Sequence, residues 1–356
     1  MIERNLKAIR EKLLARGLDA VLITDDITRR YVTQMPDSAG AVLVGLNSAA
    51  VMTDFRYIEA AQCCRPAFSV EMVEKRDGYG AAAEAHLAAW GAKRVGFEDD
   101  RMTFADYTVW KAALSAELVP AGDIVSDLRV CKTEAEIESL IAAQRIAERA
   151  WEQMLPIIRP GISEIELRGE LAAICYRLGA ENMSFDPIVA SGPNSSRPHA
   201  VPGERRVQHG DFVTFDFGVC VNGYCSDMTR TVAIGEATEE MRRIYGLVLE
   251  AQLAAEDLLR AGVSYTDFDG CARKVIADAG YGPNFGHSLS HGIGLEIHEA
   301  AFTSDSGKIL PAGAIVSVEP GIYLEGRFGV RIEDMALVTP EGCRILTDCP
   351  KELLIL

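Results

Sequence analysis

The sequence predicts an α/β (α+β) protein of two domains, and three observations lead there. Its 356 residues exceed one typical domain of about 150 residues. Residues 1–125 alternate short apolar strands with helices in a mixed order. Residues 126–356 read as helix pair, strands, helix pair, strands, a pseudo-two-fold pattern of structure with no matching sequence repeat.

In the first domain, apolar positions Leu6, Ile9, Leu13 and Leu14 recur at helical spacing, and Gly17 ends the run. Ala20–Ile23 and Arg94–Phe97 read as buried strands. Residues 41–44 and 50–53 flank the Asn47-Ser48 turn as a hairpin. Helices are expected near 81–90 and 104–116. A boundary is expected near Ala121-Gly122-Asp123. Thr133 followed by Glu136 is a capping box opening a long helix to Met154, and a second helix runs from about 163 to 178. Strands are expected over 185–234, helices over 238–280 and strands again over 285–355.

With 48% apolar and 25% charged residues, the chain is neither disordered nor fibrous. No apolar run reaches the roughly 20 residues that span a bilayer, and the first residues lack a signal-peptide core. A net charge of −16 argues against nucleic acid and suits cationic partners. Nine scattered cysteines without a CxxC motif imply reduced thiols, and a cytoplasmic protein is the expectation.

Three segments carry chemistry. In Asp211–Arg230, Asn222-Gly223 marks a two-residue hairpin turn. Residue 221 then pairs with 224, 218 with 227 and 216 with 229. Asp216 and Asp227 fall on one face as diagonal neighbours, roughly 7 Å apart, and need a cation between them. In the second segment, three of the six histidines, His287, His291 and His298, crowd into twelve positions around Gly292 and Gly294. The pattern is a strand or loop lined with imidazoles and is not the HExxH of a zinc protease. In the third, Glu319 ends an apolar strand and Glu333 sits in another beside Arg331. Each carboxylate needs a metal or a cation, Arg331 being the simple partner for Glu333. Four carboxylates and one imidazole suit Mn²⁺, Co²⁺, Fe²⁺ or Zn²⁺. Two such ions about 3.5 Å apart polarise a carbonyl and supply a hydroxide nucleophile.

The run Ser184–Arg230, the segment His287–Glu299 and the stretch Glu319–Glu333 resemble the aminopeptidase P and prolidase group of dinuclear metallopeptidases. These have the pita-bread fold shared with methionine aminopeptidase and creatinase. Gly40–Val44, Thr53–Tyr57 and the entry Leu128–Ile137 extend the resemblance to a creatinase-type N-terminal domain over 1–125, followed by the catalytic domain over 126–356. The resemblance implies five metal ligands: Asp216, Asp227, His291, Glu319 and Glu333. Asp227 and Glu333 would bridge two ions, Asp216 would hold one, and His291 with Glu319 the other. Glu319 would also shuttle a proton. His199 would contact the scissile peptide, His298 would steady the tetrahedral intermediate, and His287 would line the pocket beyond the scissile bond. Arg331 would hold the bridging carboxylates in place. The implied activity is release of the residue preceding proline in small peptides (Xaa-Pro aminopeptidase), by hydroxide bridging two divalent ions, manganese first. The alternative is a prolidase restricted to Xaa-Pro dipeptides. A homodimer is the family expectation.

Two positions depart from many members. Leu289-Ser290 stands where Thr-Gly is common, which points to the aminopeptidase P branch, and Ala301 stands where proline is common. Two other readings compete. One is a creatinase-like enzyme acting on a non-peptide C–N bond, or a non-catalytic relative, although either would have been expected to lose ligands. The other is dinucleotide binding, since Gly78-Tyr79-Gly80-Ala81-Ala82-Ala83 fits G-x-G-x-x-A and Glu98 lies 20 residues beyond Gly78.

Overall fold

Apolar runs too short for helices but rich in Val, Leu and Ile become strands of one mixed sheet in the first part of the chain. The computed structural model describes residues 1–75, 78–299 and 307–356. They form two compact units, Met1–Arg129 and Val130–Leu356. The sheet of the first unit runs in the order Ser69–Met72, Ala49–Thr53, Ala41–Gly45, Ala20–Ile23, Arg94–Phe97 and Glu117–Pro120. The hairpin pairs Ala41 with Met52, and Ala20–Ile23 lies antiparallel to it and parallel to Arg94–Phe97. The helix Ile2–Arg16 buries Leu6, Ile9 and Leu13, and Gly17 terminates it in the left-handed conformation. A helix not foreseen, Asp123–Val130, follows the expected boundary.

The dinucleotide reading fails on this frame. Glu98 is buried, and its carboxylate accepts the N–H groups of Thr24 (2.8 Å) and Asp25 (3.0 Å), leaving no acid for a ribose. Gly80 serves helix packing: a Cβ there would lie 2.5 Å from that of Ala113.

The second unit repeats one arrangement. The helices Glu134–Met154 and Glu164–Arg177 pack on the strands Ile188–Ser191, Phe212–Phe217 and Met228–Ala233. Their shared core holds Ala147, Trp151, Leu171, Phe215 and Phe217, with Trp151 edge-on to Phe215 at 5.4 Å. The helices Glu239–Leu258 and Tyr265–Asp278 share a separate core with Ile315–Val318 and Asp334–Val338, including Ile244, Val248, Phe268, Val316 and Ala336. Among the described residues, no helix is long and apolar enough to cross a membrane.

The capping box forms as expected: Thr133 N–H donates to Glu136 at 2.7 Å. The other oxygen of Glu136 accepts the Tyr224 hydroxyl at 2.8 Å, tying the helix to the hairpin. That hairpin has the expected register, with Val221 opposite Tyr224 and Asp216 opposite Thr229. Asn222 and Gly223 both have positive φ, 51° and 80°, as a type I′ turn requires. The ladder is interrupted at Gly218, where a Cβ would lie 1.7 Å from the Ser226 carbonyl. Only glycine allows the strands to pass so closely, and Asp227 follows directly on the other side.

The segment 285–299 differs from the strand expectation. Among the described residues it holds only isolated bridges, Gly292 with Val316 and Gly292 with Glu299. A further bridge, Thr229 with Glu333, joins the two halves and brings the acids of both to one place.

Candidate metal centre

Asp216, Asp227, His291, Glu319 and Glu333 line one cavity of about 630 Å³, within the range of small-molecule sites. Asp216 and Asp227 come from the strand Phe212–Phe217 and the kinked hairpin. Glu333 comes from the bridge to Thr229. Donor atoms of Asp227, His291 and Glu333 lie within 4.8 Å of one another. His291 Nε2 is 3.5 Å from Asp227 and 3.4 Å from Glu319.

The acids are deeply placed: Asp216 is 8%, Asp227 3% and Glu333 1% exposed. One oxygen of each, Asp216 Oδ1, Asp227 Oδ1 and Glu333 Oε1, has no hydrogen-bond partner among the described residues. Leaving a buried polar atom unpaired costs about 1–3 kcal/mol, and more when it is charged. Burial pushes Asp227 and Glu333 well above the usual carboxylate range, and repulsion from the neighbouring acids adds to it. Glu319 is raised too, by burial, against the pull of His291 and Arg331. Three orphaned oxygens beside an imidazole are the signature of a cluster built for cations, and the residues fit divalent metal.

Arg331 departs from expectation. It forms an ion pair with Asp216, not with Glu333 or the other carboxylate expected to bridge. Its reach to Glu333 is indirect, because Thr229 Oγ accepts from Arg331 Nε at 3.1 Å and donates to Glu333 Oε2 at 2.7 Å. Among the described residues Glu333 therefore has no cationic side chain of its own, which strengthens the case for a metal. Ser317 links two more residues of the cluster: its Oγ accepts the His291 N–H at 3.0 Å and lies 3.4 Å from Glu319.

His291 Nδ1 donates to the Gly292 carbonyl at 3.2 Å, which leaves the Nε2 lone pair open to a cation. His298 stacks edge-on to His291 with centroids 4.4 Å apart. Its ring is open to the cavity, and its pKa is lowered first by partial desolvation and then by His291. His199 is exposed and lines the same cavity. Burial and then Arg331 drive the pKa of His287 down to about 4, so the ring is neutral. It accepts from the Tyr323 hydroxyl at 2.9 Å, and that oxygen accepts from Arg331 at 2.7 Å.

All of the histidines and acids expected at the site share this cavity. Sequence reasoning missed Thr229, Ser317 and Tyr323, and also Arg168. Thr229 was within reach, lying two positions along the strand from Asp227 and so on the same face. The backbone at Leu289-Ser290 is held by Asp269, which accepts the Leu289 N–H at 2.8 Å, and by Tyr265, which donates to the Ser290 carbonyl; the choice of Leu and Ser there has no structural explanation. Ala301 lies outside the described residues. Because Thr229 holds Glu333 through one short bond, Thr229→Val is expected to lower metal affinity about 10- to 100-fold with the fold retained, as measured by metal titration.

Paired helix-and-strand halves around a buried acid–imidazole cluster define a metal-dependent hydrolase of the pita-bread fold. Residues 138–340 match metallopeptidase family M24, and residues 5–131 match the Creatinase/Prolidase N-terminal domain. The chain belongs to metallopeptidase family M24. It is similar to the solved Xaa-Pro dipeptidase from Bacillus anthracis, at 41% identity over 100% of both chains with a TM-score of 0.97. It is 33% identical to the Xaa-Pro dipeptidase of Pyrococcus horikoshii, with 99% of each chain covered. A third relative is the solved X-Pro aminopeptidase from Thermotoga maritima, at 35% identity and TM-score 0.91, covering 98% of this chain and 99% of that one.

Proposed function

We propose that this protein is an Xaa-Pro dipeptidase that hydrolyses the bond between an N-terminal residue and a C-terminal proline. The observation that carries the reading is the set of buried, partly orphaned carboxylates opening with His291 into an apolar-walled pocket. Asp216, Asp227, His291, Glu319 and Glu333 would hold two divalent ions, with manganese our first choice. When bound, these ions supply Lewis acidity to the scissile carbonyl and activate a water.

The chain's own residues do the rest. Glu319, raised by burial, holds and passes a proton at its carboxylate. His199 and His298, both lining the cavity, contact the reacting peptide and steady the charge that develops on it. Neutral His287 shapes the far side of the pocket without adding charge. Phe185, Pro187, Ile188, Pro198, Val201 and Pro202 form a wall suited to a pyrrolidine ring. The imide nitrogen of an Xaa-Pro bond carries no N–H, and an apolar wall leaves no acceptor unsatisfied. The first unit acts as an accessory domain, and the second, from about residue 126, carries the chemistry.

Two things favour the dipeptidase over the aminopeptidase suggested by Leu289-Ser290. Two of the three relatives carry that name. The pocket also holds a spare cation, because Arg168 lines it and makes no hydrogen bond or ion pair among the described residues. Arg331 is committed to Asp216, Tyr323 and Thr229. A free arginine suits the α-carboxylate of a dipeptide. The second reading, an Xaa-Pro aminopeptidase, rests on the Thermotoga relative.

The test compares Xaa-Pro with Xaa-Pro-Xaa peptides in the presence of Mn²⁺, Co²⁺ or Zn²⁺. Preference for dipeptides is expected, and tripeptide preference would select the second reading. Arg168→Ala is expected to raise KM for Xaa-Pro at least about tenfold, the cost of losing one charge-assisted bond, with little change in kcat. Xaa-Pro amides, which lack the carboxylate, should not respond. We further propose a cytoplasmic homodimer. None of the nine cysteines is joined in a disulfide, as suits a reducing compartment, and light scattering would read the assembly.

A further inference from the structure

Two thiols face each other beside the metal centre. Cys220 and Cys225 are register partners in the hairpin, and their sulfurs are 3.4 Å apart. The Cys225 N–H points away from the hairpin, donating to the Gly294 carbonyl at 2.8 Å. The pair is therefore of the non-hydrogen-bonded kind, whose Cα atoms sit about 4.5 Å apart. That separation lies inside the range a disulfide spans. Cys220 is half-buried and Cys225 buried, so a reagent meets Cys220 first.

We propose that Cys220 and Cys225 are an oxidation site that closes to an intrachain disulfide with a low-molecular-weight disulfide as oxidant, and that closure weakens the metal centre. The Cys220 sulfur attacks the reagent RSSR and releases one RSH, leaving a mixed disulfide. The Cys225 sulfur then loses its proton, attacks Cys220 and releases the second RSH. Two electrons pass from the protein thiols to the reagent.

Closure to a bond of about 2.05 Å draws the sulfurs together by about 1.4 Å. Cys225 lies two residues before Asp227. Its sulfur rests 3.8 Å from the Leu295 carbonyl, in the segment that carries His291 and His298. Movement of Cys225 is thus transmitted to ligands from both halves. This consequence rests on the reading of Asp227 and His291 as ligands, whereas disulfide formation does not.

The test incubates the full-length, manganese-loaded enzyme with glutathione disulfide, then alkylates under denaturing conditions and maps the peptides by mass. The expected result is a peptide containing Cys220 and Cys225 that is two mass units lighter and unalkylated at both positions. Bound manganese should fall at least twofold, and both changes should reverse with dithiothreitol. Cys220→Ser and Cys225→Ser, with Cys220→Ala as a substitute should either fold poorly, should keep their manganese under the same treatment. Free thiols at both positions, or a persistent glutathione adduct on Cys220, would overturn the site. A disulfide that forms without loss of manganese would overturn its effect on the metal centre. Failure to cleave Xaa-Pro peptides would leave the mass and metal readouts intact and would count against the dipeptidase reading alone.

Discussion

Replacing Glu333 with alanine is expected to cut kcat/KM for Xaa-Pro peptides by at least about a thousandfold. A metal's electrostatic help is worth several kcal/mol, and each 1.4 kcal/mol is about tenfold in rate. Glu333 is nearly inaccessible, its Oε2 is fixed by Thr229, and its Oε1 has no partner among the described residues. Loss of the side chain should therefore lower the metal bound per chain, as read by atomic emission on dialysed protein, along with the rate. Glu333→Gln separates charge from shape: it fills the same volume and should be nearly as inactive. A variant that keeps both its metal and its rate would remove Glu333 from the ligand set. The same measurement on Asp227→Asn tests whether the two acids act as a unit, in which case the double variant should be little worse than either single one.

The hairpin was the most legible part of the site. Asn-Gly between alternating runs sets a register, and a register sets which side chains share a face, so Asp216 and Asp227 could be placed from sequence. The histidine-rich segment was legible as a cluster but not as a conformation. Its glycines allow close approach to Glu299, and pairing with Val316 depends on a strand some twenty residues further on. Arg331 was misassigned for a related reason. The nearest acid in sequence was Glu333, whereas the partner chosen by packing is Asp216, 115 residues away. Arg168 was invisible because a half-exposed arginine on an amphipathic helix looks like any solvated face.

In the first unit, the Val- and Leu-rich strands announced themselves. The strand Glu117–Pro120 did not, since an edge strand ending in proline has a weak pattern. The glycine fingerprint misled because close helix packing at Gly80 and a phosphate-binding turn ask for the same residue.

Removing metal should give this protein an unusual pH dependence, with stability falling as pH rises above the range in which free carboxylates titrate. In the unfolded chain the acids titrate near pH 4. In the folded, metal-free chain, burial and then mutual repulsion raise Asp227 and Glu333 well above that, and burial raises Glu319 against the pull of His291 and Arg331. Between the two sets of values the folded state binds more protons than the unfolded one, so unfolding becomes easier with rising pH. The stability held while these groups are protonated is lost as pH passes through their raised values. Every tenfold gain in a carboxylate's proton affinity on folding weakens the fold by about 1.4 kcal/mol once the group has ionised. His287 and His298 act in the opposite sense, since their lowered values favour the folded state as pH rises, but that change is complete below pH 7. The window above pH 7 therefore isolates the acids. Calorimetry with chelator should show a falling Tm there, and saturating Mn²⁺ should flatten it, because a cation replaces the protons as the partner of the carboxylates. Asp227→Asn and Glu333→Gln should raise the Tm of the metal-free protein at pH 8 while abolishing activity. A metal-free Tm that rises with pH, or amide variants no more stable than the parent, would mean that the acids are satisfied within the protein and that the cluster is not built around a cation. The opposite signs expected for stability and activity make the pair of measurements more decisive than either alone.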